Sequence, residues 1–166
     1  FAKSSPTAFI RTLPPQTPEY ARLMREKMRL EALVVNGGWG EAIAARTLEP
    51  GDRGAAVVQM RNRLMRMGYL ERTSTATYDT KLRQAVAAFQ RDHGLVVDGI
   101  AAANTIREIN APAAKRLGQV MVAMERERWT NMPRGDRHIW VNITDFKSQT
   151  IDDGKVTFET KSVVGH

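Results

Sequence analysis

Three neighbouring side chains near the end of a predicted helix have the chemistry to bind a small ligand that carries a carboxylate or an amide. They are Gln90, Arg91 and His93. An arginine guanidinium can form a bidentate pair with a carboxylate, and a glutamine amide offers both a donor and an acceptor. The three residues fall beside a predicted cleft between this helix and the loop that follows it. We therefore predict that they bind substrate.

No residue pattern in the chain indicates a catalytic centre. The 166 residues include no cysteine, and the serines and threonines form neither a Ser-His-Asp order nor a Gly-x-Ser-x-Gly turn. His93, His138 and His166 are scattered, and none has a second ligand at the spacing that a helical metal site requires. We therefore expect no catalytic residue, no metal and no cofactor in this chain.

Hydrophobic periodicity between residues 48 and 110 predicts three helices of about 10 to 14 residues joined by tight turns. Gly68 and Gly94 are placed to end the first two helices, and Asp79 is placed to cap the second. Asp98-Gly99 predicts the turn before the third. Helices this short are stable only when they pack against each other. The apolar positions that would form their shared core are Val57, Met60, Leu64, Met67, Leu82, Val86, Phe89, Ile106 and Ile109.

Two further helices are predicted on either side of this module. The first begins at Thr17-Pro18, a good N-cap followed by proline at the first helical position, and stops at the turn Asn36-Gly37-Gly38-Trp39. The second opens at Asn110-Ala111-Pro112 and ends near Trp129. Its predicted apolar positions are Leu117, Val120, Met121 and Met124.

The sequence period changes after Met132-Pro133. Residues 139–143 are apolar and β-branched, which predicts a buried strand, and residues 146–151 and 156–164 predict two more. Asp153-Gly154 is a two-residue hairpin signal between them. A β-sandwich needs about seven strands, so we expect this segment to leave an open edge that is poorly ordered or pairs with another chain.

The order of these residues resembles the peptidoglycan-binding helical domain, and the chain as a whole resembles the murein L,D-transpeptidases that carry such a domain at their amino terminus. Ala102-Ala103 stands where that domain usually has a glycine before its third helix, so we expect a frayed start to that helix. The matching residues of the helical domain are Gly51-Asp52, Val57, Leu64, Gly68-Tyr69, Tyr78-Asp79, Ala85-Val86, Phe89-Gln90, His93-Gly94-Leu95, Asp98-Gly99 and Thr105. Those outside it are Gly37-Gly38-Trp39, Glu125-Arg126, Val141-Asn142-Ile143, Phe146 and Val163-Val164-Gly165.

The resemblance implies a mainly α chain: a three-helix peptidoglycan-binding module with flanking helices, followed by the first strands of a truncated β-domain. The implied parts are a linker at 1–16, a helix and Gly-rich turn at 17–46, the binding domain at 47–110, a connecting helix at 111–133 and the start of the catalytic domain at 134–166. In the family a cysteine after a His-Gly segment transfers acyl groups between stem peptides. Because this chain has no cysteine, we expect it to be a catalytically inactive fragment that holds such an enzyme on peptidoglycan in the periplasm or cell envelope. The rest of the catalytic domain is the second implied partner.

Composition permits this function and one rival. A net charge of +7 suits an acidic partner, and both peptidoglycan carboxylates and nucleic acid are acidic. A basic helical nucleic-acid-binding module would use arginines such as Arg61, Arg63 and Arg66 as phosphate contacts. Glutamates interleave with the basic residues, so we expect these arginines to lie on the outer faces of amphipathic helices, solvated or paired. We therefore expect no nucleic-acid partner. A third alternative is a structural fragment that binds no glycan. No apolar run is long enough to span a membrane.

Overall fold

The computed structural model of the chain describes residues 5, 7, 13–129, 134–143 and 146–163. Most of the predicted linker, the Met132-Pro133 turn and the carboxyl-terminal Gly165-His166 lie outside the described residues. The chain divides into two compact units, Phe1–Trp129 and Thr130–His166. The flanking helices and the three-helix module therefore form one unit.

The first unit is helical, as predicted. Its elements are α1 (Pro18–Val35), α2 (Ala55–Met67), α3 (Thr80–Asp92), α4 (Ala103–Ile109) and α5 (Ala113–Trp129). With seven residues, α4 is shorter than the sequence predicts. At its start, the N-cap residue Ala102 makes no side-chain bond that would cap the helix. At its other end, Pro112 disfavours helical backbone at Ala111, so the helix cannot extend far past Ile109.

The predicted helix ends are confirmed in atomic detail. The hydroxyl of Thr17 accepts the backbone N–H of Tyr20 at 3.2 Å, and Asp79 Oδ1 accepts that of Leu82 at 2.9 Å. Gly68 follows α2 with a φ of 88°, a left-handed conformation that a glycine adopts without strain. These contacts are local, which is why the sequence could predict them.

One apolar core holds α2, α3 and α4 together. Phe89 lies within it, as the sequence predicts. Tyr78 is buried there too, and its hydroxyl donates to the Gly99 carbonyl at 2.9 Å. Burial is the main cause that raises the pKa of Tyr78 above its ordinary value. The fully buried apolar side chains of this core include Val57, Met60, Leu64, Leu82, Val86 and Ile109.

A second, smaller core joins α1 to α5. Leu30, Trp39 and Ala113 form its buried part, while at the other end the Arg128 guanidinium donates to the Tyr20 hydroxyl at 2.8 Å. The end of α1 therefore packs against the start of α5, and the start of α1 packs against the end of α5. The two helices are antiparallel. Met121, predicted to lie on the apolar face of α5, is 51% exposed.

The expectation that the arginines of α2 lie on an outer face is wrong for two of them. Arg61 is 1% exposed and Arg63 is 3% exposed. Arg61 forms an ion pair with Asp79 at 2.6 Å. Arg63 donates to backbone carbonyls instead, including that of Ile109 at 2.9 and 3.0 Å and that of Gly40 at 2.8 Å. Buried guanidiniums are tolerated here because their N–H groups find acceptors.

The second unit is an antiparallel sheet in the order β1-β2-β3, with β1 at Arg137–Asn142, β2 at Lys147–Asp152 and β3 at Lys155–Lys161. The predicted hairpin is confirmed: Asp153 and Gly154 both have positive φ values, 48° and 74°, which suits a tight two-residue turn. The prediction that the first strand is buried is wrong, because Ile139 is 72% exposed. A single three-stranded layer has no second layer in its own unit to cover it.

Candidate functional site

Gln90, the first of the predicted binding residues, is built into the module core. It is 1% exposed, and its amide N–H groups donate to Asp98 Oδ1 and to the Ile100 carbonyl, both at 2.9 Å. Its carbonyl oxygen accepts the backbone N–H of Gly99 at 2.9 Å. Gln90 therefore fixes the loop between α3 and α4, and its polar atoms are already occupied.

Asp98 completes this arrangement from the loop side. Its Oδ1 accepts the backbone N–H of Ile100 at 2.8 Å, which confirms the predicted role as a turn residue. The Ile100 N–H, followed by the amide of Gln90, holds the pKa of the Asp98 carboxyl below its ordinary value. The ionised form of Asp98 is thus part of the folded loop.

His93 lies at the end of α3 and stacks on the ring of Phe89, with 3.8 Å between ring centroids and 17° between ring planes. Its Nδ1 is 2.8 Å from the Phe89 carbonyl oxygen, which can only accept, so Nδ1 carries the proton. In the neutral ring Nε2 is then left as an acceptor. Half-buried and fixed in orientation, His93 is suited to ligand contact.

Arg91 lies one residue beyond Gln90 on α3 and is exposed. Within the described part of the chain, no hydrogen bond or ion pair occupies its guanidinium. Its fork is therefore available to a carboxylate from solution. The three predicted residues thus have different settings: one in the core, one half-buried and one on the surface.

His93 also lines a groove of about 370 Å³, which we call the interhelical groove. Its walls come from α1, from the turn that contains Trp39, from the ends of α2 and α3, and from α5. Pockets of about 300 to 1,000 Å³ are typical of small-ligand sites. The lining is apolar at its centre, with Leu23, Leu30, Met67 and Val120, and polar at its rim, with Glu26, Arg29, Arg116 and Gln119.

The charged residues at the rim are already paired with each other or with neighbours. Arg29 donates to both carboxylate oxygens of Glu26 at 2.8 and 2.6 Å. Arg116 donates to Glu108 at 2.6 Å, and this bond is the main cause that holds the pKa of Glu108 below its ordinary value. Tyr69, also at the groove, donates to Asp92 at 3.0 Å. Burial and then Asp92 raise the pKa of Tyr69 to about 12, so its hydroxyl keeps its proton.

Sequence reasoning missed most of the residues that line this groove. Arg29 and Arg116 are far apart in sequence, and only the antiparallel packing of α1 on α5 brings them to one rim. The Gly-rich turn before Trp39 was the one available signal. Trp39 anchors that turn, because it is 5% exposed in the second core.

Across the described residues, no three side chains of His, Asp or Glu converge as they would around a metal ion. None of the helices in the same part of the chain combines the length and hydropathy of a membrane span.

Comparison with known proteins assigns a class to the helical module. Residues 53–109, which contain α2, α3 and α4, match the family model described as "Putative peptidoglycan binding domain". The chain therefore carries a peptidoglycan-binding domain, and this domain ties it to the cell envelope or wall. The resemblance deduced from its turns and apolar positions is confirmed at this level.

One relative extends the comparison beyond the domain class. The chain is 38% identical over 81 residues to N-acetylmuramoyl-L-alanine amidase CwlM of Mycobacterium tuberculosis. This similarity covers 43% of the chain but 20% of the amidase. The relative supports a connection to the cell wall, while its amidase name points to a different kind of enzyme from the predicted transpeptidase.

Proposed function

We propose that the helical unit binds peptidoglycan and thereby holds a cell-wall enzyme on its substrate. The observation that carries this proposal is the match of residues 53–109 to a peptidoglycan-binding domain whose three helices and shared apolar core are formed. Peptidoglycan carries muramyl and stem-peptide carboxylates, and the net charge of +7 favours its approach. We place the cell-wall contact at the end of α3.

Arg91 and His93 are the proposed contact residues at this position. The exposed guanidinium of Arg91 offers a fork to a carboxylate, and His93 offers an acceptor at a fixed angle. Gln90 is assigned a positioning role, because its amide holds the Asp98-Gly99 loop beside them. A contact between Gln90 and substrate stays a prediction.

The rival nucleic-acid function has less support from the geometry. Two of the arginines it would require, Arg61 and Arg63, are buried and cannot contact a phosphate backbone. Lys27 and Arg29 are paired with Glu31 and Glu26. Peptidoglycan therefore remains the proposed polyanionic partner.

For the enzyme that the module serves, we propose a periplasmic murein L,D-transpeptidase. The support is an antiparallel β-meander whose first strand ends with Val141-Asn142 and whose second and third strands are joined by the Asp153-Gly154 turn, in the order that the resemblance requires. Residues 134–166 would then be the opening strands of its catalytic domain, and further strands of that domain would be their partner. The second candidate is an amidase, favoured by the name of the relative.

The coding sequence downstream of His166 discriminates between these two enzymes. We expect it to encode more strands and a cysteine preceded by a His-Gly segment, since a thiolate is the nucleophile that this acyl transfer needs. A continuation with no cysteine would contradict the transpeptidase assignment and leave the amidase as the candidate.

Sedimentation of the protein with insoluble murein sacculi tests peptidoglycan binding. We expect the wild-type chain to sediment with sacculi and Arg91→Ala to be retained less, with an unchanged melting temperature, because an exposed side chain contributes about 0.5 kcal/mol or less to stability. Arg107→Ala, which removes an exposed arginine from α4, is the matched control and should behave as wild type.

Two outcomes of this experiment would count against the proposal. Equal retention of wild type and Arg91→Ala would move the contact away from the end of α3. A shift of duplex DNA together with no retention on sacculi would overturn the proposed function itself.

A further inference from the structure

One of the residues that line the interhelical groove carries an unsatisfied polar atom. Trp39 Nε1 is buried and has no hydrogen-bond partner, and it is the one such side-chain atom among the described residues. A buried N–H without an acceptor is costly, and native structures usually supply one from protein, water or ligand. Since Trp39 lines the groove, an acceptor bound there is the natural partner for this N–H.

The rim of the groove offers further donors beside this atom. Arg29 uses Nε and Nη2 to hold Glu26, and within the described residues its Nη1 has no partner. The same guanidinium lies 5.7 Å from the centroid of the Trp39 ring. Arg116 uses Nη1 for Gln119 and Nη2 for Glu108, which leaves its Nε without a partner in the described chain. The unfilled positions on Trp39 and the two arginines are therefore donors, and Nε2 of His93 is an acceptor at the same groove.

A groove with hydrogen-bond donors at its rim and apolar side chains at its floor suits the stem peptide of peptidoglycan better than the sugar rings of the glycan strand. A sugar ring carries hydroxyl groups around its perimeter, and each would need a partner that Leu23, Leu30 and Val120 cannot provide. A short peptide with small apolar side chains can place those side chains on the floor. Its carbonyl oxygens and carboxylates would then face the N–H groups of Trp39, Arg29 and Arg116.

We propose that the interhelical groove binds the carboxylate-bearing stem peptide of peptidoglycan, and that the glycan strand stays outside it. This inference rests on the proposed function and names the substrate class. Trp39 donates to a peptide carbonyl, and Arg29 and Arg116 donate to carboxylates at the rim. Because α1, Trp39 and α5 lie outside residues 53–109, the site is completed by elements that flank the matched domain.

Titration calorimetry with two soluble probes tests the proposal on the whole chain. The probes are the free stem tripeptide, L-alanyl-γ-D-glutamyl-diaminopimelate, and chitotetraose, which has N-acetyl sugars and no carboxylate. We expect the tripeptide to bind and chitotetraose to bind at least about tenfold more weakly, since a charged hydrogen bond is strong relative to a neutral one. Equal binding of both probes, or binding of chitotetraose alone, would overturn the proposal.

Variants locate the peptide within the groove. Arg29→Gln and Arg116→Gln should each weaken tripeptide binding by about tenfold, because each removes a charged donor. Arg25→Gln changes an exposed arginine of the same helix that does not line the groove, and it should bind as wild type. Trp39→Phe keeps an aromatic ring at this position but removes the Nε1 donor. It should therefore weaken tripeptide binding and leave the helical circular dichroism spectrum unchanged.

The same variants separate failure of this inference from failure of the proposed function. Retention on sacculi with no tripeptide binding would leave peptidoglycan binding in place and overturn the groove as the stem-peptide site. Tripeptide binding that Arg29→Gln and Arg116→Gln both leave unchanged would also overturn it. If the wild-type chain does not sediment with sacculi, the proposed function itself is wrong. If Trp39→Phe fails to fold, the two arginine variants still decide the outcome.

Discussion

Arg63 shows how a charged side chain can serve as interior scaffolding. Its guanidinium is planar and carries five N–H groups, and the carbonyls of Ile109, Ala111, Gly40 and Glu41 surround it. Burial is the first cause that lowers its pKa, and the group remains charged because that pKa starts far above neutrality. One residue thereby ties the end of α4 to the turn that follows α1.

Replacement of Arg63 by lysine tests this role. Arg63→Lys keeps the positive charge but replaces the fork with one ammonium, so several buried carbonyls lose their donors. We expect the free energy of unfolding to fall by about 3 kcal/mol, as it does when a buried charged partner is removed. Urea denaturation followed by circular dichroism measures this change.

Arg107→Lys is the matched control for this experiment. Arg107 is an exposed arginine on α4, so its replacement should change the free energy of unfolding by about 0.5 kcal/mol or less. Equal stability of Arg63→Lys and Arg107→Lys would contradict the role assigned to Arg63.

Residue roles were predictable from the sequence where they depend on near neighbours. Asp79 and Asp98 bond to backbone groups two or three residues away, so their positions before a helix and in a turn were sufficient. The position of Arg63 was misjudged and the burial of Gln90 was not foreseen, because their partners become neighbours only after the helices pack. A polar side chain on an amphipathic helix does not reveal whether the fold will bury it.

At the scale of elements, the loop between α3 and α4 depends on ionised Asp98. Its carboxylate binds the Ile100 N–H and the Gln90 amide, and these bonds lower its pKa in the folded state. A lowered pKa means that the unfolded chain binds more protons in acid. The stabilisation is therefore complete above the ordinary pKa of about 3.9 and is lost as the pH falls through the lowered value.

The variant Asp98→Asn separates this charge from the shape of the loop. Asparagine keeps an oxygen acceptor for Ile100 but loses the charge, so the variant should melt at a lower temperature than wild type at neutral pH. The melting temperatures of the two proteins should converge as the pH falls from about 4 through the lowered pKa of Asp98, below which the wild-type carboxyl is also neutral. Thermal denaturation between neutral and acidic pH measures this, and parallel pH profiles would contradict it.

The strands were predictable as elements but their environment was not. The alternation of residues and the Asp153-Gly154 turn suffice to place β2 and β3 and their hairpin. The run around Trp140 is as apolar as a buried strand, yet Ile139 and Phe158 are mostly exposed. Burial of a strand depends on a second layer of structure, and a local pattern contains no information about that layer.

At the scale of the whole molecule, the two units should differ in stability. Among the described residues, the helical unit has two apolar cores, while the sheet exposes apolar side chains and pairs with no further strand at the outer edges of β1 and β3. Amides of β1, β2 and β3 should therefore exchange with solvent much faster than those of α2 and α3. Alternatively, they should become slow only as the protein concentration rises, when an edge pairs with another chain.

Hydrogen exchange followed by mass spectrometry at two protein concentrations measures this difference. The helical unit provides the internal control, because its buried amides should be equally slow at both concentrations. Slow exchange of all three strands in a dilute monomer would show that the sheet is stable by itself. The proposal that it is the opening part of a larger β-domain would then lose its physical basis.

The contacts of Arg63 also limit how the binding module can be transplanted. Excision at residues 53 and 109 would remove the carbonyls of Gly40, Glu41 and Ala111, and would leave a guanidinium in the interior without most of its acceptors. The side chain of Asn110, which bonds to both backbone groups of Ile43, would be lost as well. A portable cell-wall tag made from this protein should therefore begin no later than Trp39 and end no earlier than Ala111.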